Sequence, residues 1–192
     1  SEANFLALSS LVNAGDEVVI VMPNYMQVHG VATALGARVR EVWLREERAW
    51  TIDLDALAAA VNARTKVVCV CQPNNPTGQI LSQAEVQSVV RIADRVGAWI
   101  LADEVYRGAE RSAEESPSFS GRGERIVVTG GLSKVYGLPG LRVGWLVAPR
   151  DRIQAAAQIK DYTTIAPATL SEALTEIALE RRKPLLERAR FL

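Results

Sequence analysis

The chain has 192 residues, of which 48% are hydrophobic and 23% are charged, as in an ordinary globular protein. Lysine plus arginine and aspartate plus glutamate each number 22, so the formal net charge is zero. A neutral chain lacks the basic excess that binding to nucleic acid or to an anionic membrane requires. No apolar run approaches the roughly 20 residues of a membrane span. We therefore expect a small-molecule ligand, and neither nucleic acid nor a membrane, as the partner.

The first residues, SEANFLALSSLVNAG, predict a helix with Phe5, Leu8 and Leu11 on one face and Gly15 after its end. Because this helix has no initiator methionine and no element before it, we expect the chain to be cut from a longer one. The two cysteines, Cys69 and Cys71, alternate on one predicted strand and are poorly placed for a disulfide. We expect buried thiols in a reducing compartment, and hence a cytoplasmic location.

Helices and strands alternate in the hydrophobic pattern along the rest of the chain. Strands are predicted at 17–22, 38–44, 66–71, 98–102, 125–129 and 142–147, and further helices at 25–35, 53–62, 82–97, 149–160 and 167–182. Ser82 and Glu85 predict a capping box at one helix start, and 107–124 is predicted to be a surface loop. This alternation is typical of a doubly wound α/β fold, with a mostly parallel sheet and helices on both faces.

Polar side chains follow the predicted strands, where ligands of such sheets bind. Tyr25, Asn75 and Lys134 each come soon after a strand, and Asp103 and Tyr106 follow another. Each alone is more often a turn, capping or packing residue. Together they are expected at one edge of the sheet.

The stretch IVVTGGLSKVYGLPGLRVGW at 126–145 carries the strongest local signal. Lys134 lies on a glycine-rich turn at a strand end, where its amine can lean into a cleft. Arg142, eight residues later, can hold an anion at the other end of the same small ligand, together with Ser133. A phosphorylated pyridine aldehyde suits this set, because a lysine amine can form a Schiff base with it and Asp103 can pair with a protonated ring nitrogen.

The motifs PNNPTG at 73–78, ADEVY at 102–106 and SKVYGLPGLRVGW at 133–145 resemble the class I/II aminotransferases of the aspartate aminotransferase superfamily. These are pyridoxal-phosphate enzymes of fold type I. The resemblance implies that Lys134 is the Schiff-base lysine and proton shuttle, and that Asp103 is the partner of the pyridine nitrogen. By the same resemblance, Asn75 and Tyr106 contact the ring oxygen and Tyr25 stacks on the ring. Arg142 and Ser133 bind the phosphate.

By the same resemblance, the intact protein would be a homodimer that moves an amino group between an amino acid and a 2-oxo acid. Residues 1–164 would form the large domain that binds pyridoxal 5'-phosphate. Residues 165–192 would form the helix leading toward a C-terminal small domain absent from this chain.

The sequence departs from the family pattern in three places. Gly131 stands where the family usually has Ser or Thr as a phosphate ligand, and Ser133 is the candidate to compensate. The family's glycine-rich turn before the first helix is missing, with Ser1 as its expected remnant. The strand before that helix is also missing, which would leave 142–147 at an exposed edge.

Three alternatives remain open. The same cofactor residues serve C–S lyases, decarboxylases and cyclases of this fold, which differ in substrate contacts. Some transcription regulators carry an aminotransferase-like domain that senses an effector. The chain could also be an inactive fragment that folds without turnover.

Overall fold

The computed structural model describes residues 1–111 and 114–191. Its six strands are β1 (Glu17–Met22), β2 (Arg38–Trp43), β3 (Thr65–Cys71), β4 (Trp99–Asp103), β5 (Ile126–Gly131) and β6 (Gly144–Val147). Its seven α-helices are α1 (Glu2–Leu11), α2 (Gln27–Ala34), α3 (Leu54–Ala60), α4 (Gln83–Asp94), α5 (Arg150–Lys160), α6 (Thr169–Glu180) and α7 (Arg182–Phe191). The predicted strands are confirmed to within two residues, and so is the capping box of Ser82 and Glu85.

The strands form one sheet in the order β2-β1-β3-β4-β5-β6. Strands β1 to β5 are parallel, whereas β6 runs antiparallel to β5, with Gly131 opposite Gly144. The carboxyl ends of the parallel strands and the amino end of β6 therefore meet at the same edge. The predicted α/β fold with a mostly parallel sheet is confirmed, and β6 is an edge strand of the described sheet.

Two hydrophobic clusters cover the two faces of this sheet. On one face, Leu57 of α3 and Val89 of α4 belong to the same cluster as Val19 of β1. On the other, Leu8 of α1 belongs to the same cluster as Val18. Neighbouring residues of β1 thus point to opposite clusters, as the pleat of a strand requires, and all six of its residues are buried. Helices on both faces are confirmed.

A third cluster joins the last two helices to the loop that follows β5. It contains Leu132, Val135 and Tyr136 from that loop, Ala178 from α6 and Leu186 from α7. The chain forms two helices here, where one helix ending before Pro184 was predicted. Pro184 lies in the first turn of α7, where a backbone N–H has no partner within the helix and proline is tolerated.

The loop predicted at 107–124 is confirmed for its described part, which contains no helix or strand, but several of its residues are buried rather than at the surface. Ser112 and Ala113 lie outside the described residues, but Glu110 and Ser116 are buried and Phe119 is fully buried in the cluster below α4. The Glu110 carboxylate accepts hydrogen bonds from the backbone N–H groups of Gly108 (2.7 Å) and Ser116 (2.9 Å). The Glu110 side chain thus joins two parts of the loop. The polar composition of the loop does not reveal this contact.

A buried carboxylate lies at the opposite edge of the sheet, at the start of β1. Glu17 is 1% exposed and accepts hydrogen bonds from Asn62 (2.9 Å), Arg64 (2.5 Å) and Arg40 (2.8 Å). The hydrogen bonds from Asn62 and Arg64, with a smaller contribution from Arg40, lower the pKa of Glu17 from 4.5 to about 2. The charged form therefore stabilises the junction of β1, β2 and the start of β3.

We expect Glu17→Gln to lower the free energy of unfolding at pH 7. Because the folded pKa is depressed, the stabilisation by Glu17 is present above pH 4.5 and is lost as the pH falls toward 2. Urea unfolding between those pH values should therefore show a shallower loss of stability in Glu17→Gln than in the unmodified chain. Glu47→Gln removes the same charge from an exposed position and serves as the control. Equal acid sensitivity of Glu17→Gln and the unmodified chain would contradict this account.

Gly130 makes room for Trp145 where β5 pairs with β6. The two residues are register partners, and a Cβ atom at position 130 would lie 2.6 Å from the indole Nε1 of Trp145. Trp145 also packs edge-on against Tyr136, with ring centroids 6.2 Å apart. The glycine therefore allows the indole to connect the edge strand with the third cluster.

We expect Gly130→Ala to destabilise the fold by about 1–3 kcal/mol, the usual cost of overpacking. Gly140→Ala is the matched control, because a Cβ atom there has no neighbour within 4 Å. Chemical denaturation of both variants measures the difference. Equal midpoints for the two variants would show that Trp145 does not require the glycine.

Candidate active site

All seven predicted site residues line one cavity at the carboxyl edge of the sheet. Its volume is about 330 Å³, within the range of small-molecule sites. Those residues are Tyr25, Asn75, Asp103, Tyr106, Ser133, Lys134 and Arg142. Arg142 joins the others because β6 is antiparallel, so the turn before it lies at the same edge as the end of β5. Their proximity agrees with the sequence analysis, whereas their individual chemical roles stay predictions.

Asp103 ends β4 and is held by two hydrogen bonds to its carboxylate. One oxygen accepts from the backbone N–H of Val105 at 3.1 Å, and the other accepts from the side-chain amide of Asn4 at 2.8 Å. The Asn4 carbonyl oxygen in turn accepts from the hydroxyl of Thr129 at 2.6 Å. The carboxylate therefore has a fixed orientation in the cavity wall.

Lys134 is exposed and lies on the loop after β5, with its Nζ 5.9 Å from the centroid of the Tyr106 ring. Leu132 and Val135, on either side of it in sequence, are buried in the third cluster, and the Lys134 carbonyl accepts from the N–H of Gly137 at 2.9 Å. The backbone is thus anchored below α6 and α7 while the amine stays free to reach a ligand.

A cation and a hydroxyl lie together at the Arg142 end of the cavity. Arg142 Nη1 donates to the Ser133 hydroxyl at 3.3 Å and to the Pro139 carbonyl at 2.9 Å. Arg142 caps a short 3-10 turn with a left-handed backbone (φ 56°), which non-glycine residues adopt rarely. Hydrogen-bond donors of this kind suit an anionic group of a ligand.

The buried side-chain amide of Asn74 connects the two loops that carry Tyr25 and Asn75. The Asn74 amide donates to the Pro23 carbonyl at 3.2 Å, and its oxygen accepts from the Thr77 hydroxyl at 2.7 Å. The loop before α2 is therefore tied to the turn after β3.

Gln72, which is fully buried, extends this connection. It exchanges hydrogen bonds with both backbone groups of Leu81, at 2.9 and 3.1 Å, and donates to the Pro117 carbonyl at 3.3 Å. The turn after β3 is thereby also joined to the loop after β4.

Sequence reasoning missed these supporting residues. Asn74 stands inside the PNNPTG motif, so its position was visible but its partner at Pro23 was not. Asn4 and Gln72 belong to no motif and to no hydrophobic period. Their roles depend on hydrogen bonds to residues elsewhere in the chain. Only contacts between distant segments could have identified them.

Two further ionisable groups neighbour Asp103, since Glu104 follows it in sequence and Cys71 is its register partner on β3. Burial raises the pKa of Glu104, opposed by hydrogen bonds from the Phe119 N–H (2.7 Å) and the Ser118 hydroxyl. Burial, with the nearby charge of Asp103, raises the pKa of the Cys71 thiol to about 12. The thiol donates to the Pro73 carbonyl at 3.1 Å and remains protonated at neutral pH. Cys71 is thus unsuited to act as a nucleophile.

The donor set fits a phosphorylated pyridine aldehyde. An exposed amine can react with a carbonyl group, a fixed carboxylate can accept from a ring nitrogen, and an arginine with a hydroxyl can bind a phosphate. Within residues 1–111 and 114–191, no group of three histidine, cysteine or acidic side chains could hold a metal ion. The helices of the same ranges are all too short or too polar to cross a membrane.

Comparison with known proteins places the chain in a family. The family described as aminotransferase class I and II matches residues 1–191. Capreomycidine synthase of Streptomyces vinaceus is 37% identical over 97% of this chain and 48% of that protein. Kynurenine–oxoglutarate transaminase of Dictyostelium discoideum is 30% identical over 94% of this chain and 46% of that protein.

Solved structures agree with this match. A PLP-dependent aminotransferase from Streptococcus suis 89-1591 superposes with a TM-score of 0.92 at 35% identity, covering 97% of this chain and 49% of that one. Aspartate aminotransferase from Thermus thermophilus, solved with maleate, gives the same TM-score at 25% identity, over 98% of this chain and 50% of that chain. The chain belongs to the class I and II aminotransferase family, as its motifs predicted. It spans about half the length of the relatives it matches.

Neighbouring asparagines in the turn after β3 should respond differently to truncation. We expect Asn74→Ala to lower the free energy of unfolding by about 1–3 kcal/mol, because it leaves the Thr77 hydroxyl and the Pro23 carbonyl unsatisfied. Asn75→Ala should change it by less than about 0.5 kcal/mol, because within the described residues the Asn75 side chain makes no hydrogen bond. Denaturant unfolding of both variants measures this. Equal losses would refute the supporting role of Asn74.

Proposed function

We propose that this chain carries the cofactor site of a pyridoxal 5'-phosphate-dependent aminotransferase, which moves an amino group between an amino acid and a 2-oxo acid. The observation that supports this most is the convergence of seven motif residues on one cavity, with the Lys134 amine, the Asp103 carboxylate and the Arg142 guanidinium all on its walls. Membership of the aminotransferase family supports the reaction class.

The proposed roles follow from the position of each side chain. Lys134 would hold the cofactor through its Nζ, and the same amine would carry a proton to and from the substrate α-carbon. The cofactor, when bound, supplies an electron sink for the electron pair of that carbon. Asp103 binds the ring nitrogen and keeps this sink effective. Tyr106 and Asn75 donate to the ring oxygen, and Tyr25, which is 53% exposed, covers the ring face.

Arg142 and Ser133 are proposed to bind the phosphate. Gly131 also lines the cavity, but a Cβ atom there would lie 3.2 Å from the Val143 carbonyl and needs a local adjustment. The Ser133 hydroxyl, held at 3.3 Å from Arg142, supplies the hydroxyl that position 131 lacks.

A second candidate function is a different reaction on the same cofactor. One relative, at 37% identity, is named a synthase rather than an aminotransferase. The Lys134 and Asp103 roles are common to both candidates. Assaying the chain for amino-group transfer to a set of 2-oxo acids separates them, because a synthase reaction does not require a 2-oxo acid acceptor.

The remaining predictions concern the whole protein. A homodimer is supported by the large apolar side chains exposed on α6, where Leu170 is 80% exposed and Ile177 is 51% exposed. A cytoplasmic location is supported by the free, buried cysteines at 69 and 71. The proposed boundary near residue 164 separates the cofactor-binding domain from helices that lead to a further domain.

Covalent attachment at Lys134 is tested directly by reduction with borohydride after adding pyridoxal 5'-phosphate. Mass spectrometry should find the cofactor on the peptide containing Lys134, and Lys134→Ala should lose both this adduct and the visible absorption of the attached cofactor. Lys183→Ala, at an exposed lysine, is the control and should keep both. Labelling that is unchanged in Lys134→Ala would sink the proposed function.

A further inference from the structure

Asn4 is a buried polar residue with no counterpart among the expected cofactor ligands. It is 4% exposed, lies in the first turn of α1 and lines the cavity beside Asp103. A buried amide is costly unless it is hydrogen-bonded. Both of its polar atoms have partners far along the chain, at Asp103 and Thr129. Helix α1 is thereby joined to both β4 and β5 through one side chain.

The chemistry of these partners fixes the orientation of the amide. Asp103 offers only acceptor oxygens, so the Asn4 NH₂ group must face it, at 2.8 Å. The Asn4 carbonyl oxygen then faces the Thr129 hydroxyl, which donates at 2.6 Å. In the flipped orientation, two acceptor oxygens would face each other, so the flip is unfavourable. Thr129 thus holds Asn4, and Asn4 holds Asp103.

The backbone of Asn4 is also fixed. Leu8 and Leu11 of α1 are buried in the cluster on that face of the sheet, so the helix cannot shift without losing core packing. Thr129 is 2% exposed and is paired with Asp103 as a register partner between β5 and β4. The three side chains therefore form a short hydrogen-bonded chain between rigid elements.

We propose that Asn4 is a positioning residue that, oriented by Thr129, holds the Asp103 carboxylate toward the ring nitrogen of the cofactor. This rests on the proposed function, since it assigns Asp103 to that nitrogen. The Asn4 amide donates a hydrogen bond to the carboxylate, but its N–H is far too weakly acidic to transfer the proton. Asn4 thus orients the carboxylate without entering the reaction.

The test compares pyridoxal 5'-phosphate with its analogue in which a C–H group replaces the ring nitrogen. Binding of each to the chain is measured by quenching of tryptophan fluorescence. Asn4→Leu should weaken binding of pyridoxal 5'-phosphate by roughly ten- to a hundred-fold, the loss expected for a hydrogen bond to a charged group. Binding of the analogue should not change, because it has no nitrogen for Asp103 to contact.

Variants at position 129 give a matched pair that leaves Asn4 in place. Thr129→Ser keeps the hydroxyl and should bind pyridoxal 5'-phosphate as the unmodified chain does. Thr129→Val keeps the shape but loses the hydroxyl, and should weaken binding in the same direction as Asn4→Leu. Circular dichroism of each variant checks that the fold is retained.

If Asn4→Leu weakened the binding of both compounds equally, the role of Asn4 would be merely structural and the proposal would be overturned. Unchanged binding of both compounds would also overturn it. In the cofactor-free protein, Asp103→Asn should shift the side-chain amide resonances of Asn4 in an NMR spectrum, and unshifted resonances would refute the hydrogen bond itself. Failure of the unmodified chain to bind pyridoxal 5'-phosphate would instead refute the proposed function, and this role with it.

Discussion

The candidate site depends on a geometric constraint of the sheet, because parallel strands end at the same edge. Side chains after β1, β3, β4 and β5 therefore come together although they are far apart in sequence. The antiparallel direction of β6 adds Arg142, since the turn before that strand lies at the same edge. A parallel β6 would have needed a long crossover from β5 and would have placed Arg142 at the opposite edge of the sheet. The short connection from Lys134 to Arg142 is thus what places an amine and a guanidinium in one cavity.

The strands bring several loops together at this edge, and hydrogen bonds from buried polar residues hold those loops in place. Asn74 and Gln72 tie the loops after β1, β3 and β4 together, and Glu104 holds the residues around Phe119 against the end of β4. The Lys134 loop is fixed differently, by apolar packing under α6 and α7. The Asp103 carboxylate is thus held in place whereas the Lys134 amine is exposed, which suits the roles proposed for these two residues.

The fold was predictable from sequence because the central strands are continuous apolar runs bounded by turn residues, as at 17–22 and 66–71. The convergence of the candidate side chains on one cavity was predictable because most of them stand at fixed positions within the motifs, directly after strands. The supporting residues were not, since Asn4 depends on partners 99 and 125 residues away. Its neighbour Phe5, predicted on the same face of α1 as Leu8 and Leu11, is 37% exposed whereas those two leucines are buried. The burial of Phe119 in the loop at 107–124 was missed for the same reason, because a polar composition does not show which loop residues pack against the core.

A crystal structure of this chain with pyridoxal 5'-phosphate tests the central claim most directly. The account predicts a covalent bond between Lys134 Nζ and the aldehyde carbon, with a carboxylate oxygen of Asp103 within hydrogen-bond distance of the ring nitrogen. It also predicts the phosphate beside Ser133 and Arg142. Attachment to another lysine, or a ring turned so that its nitrogen faces away from Asp103, would contradict the account.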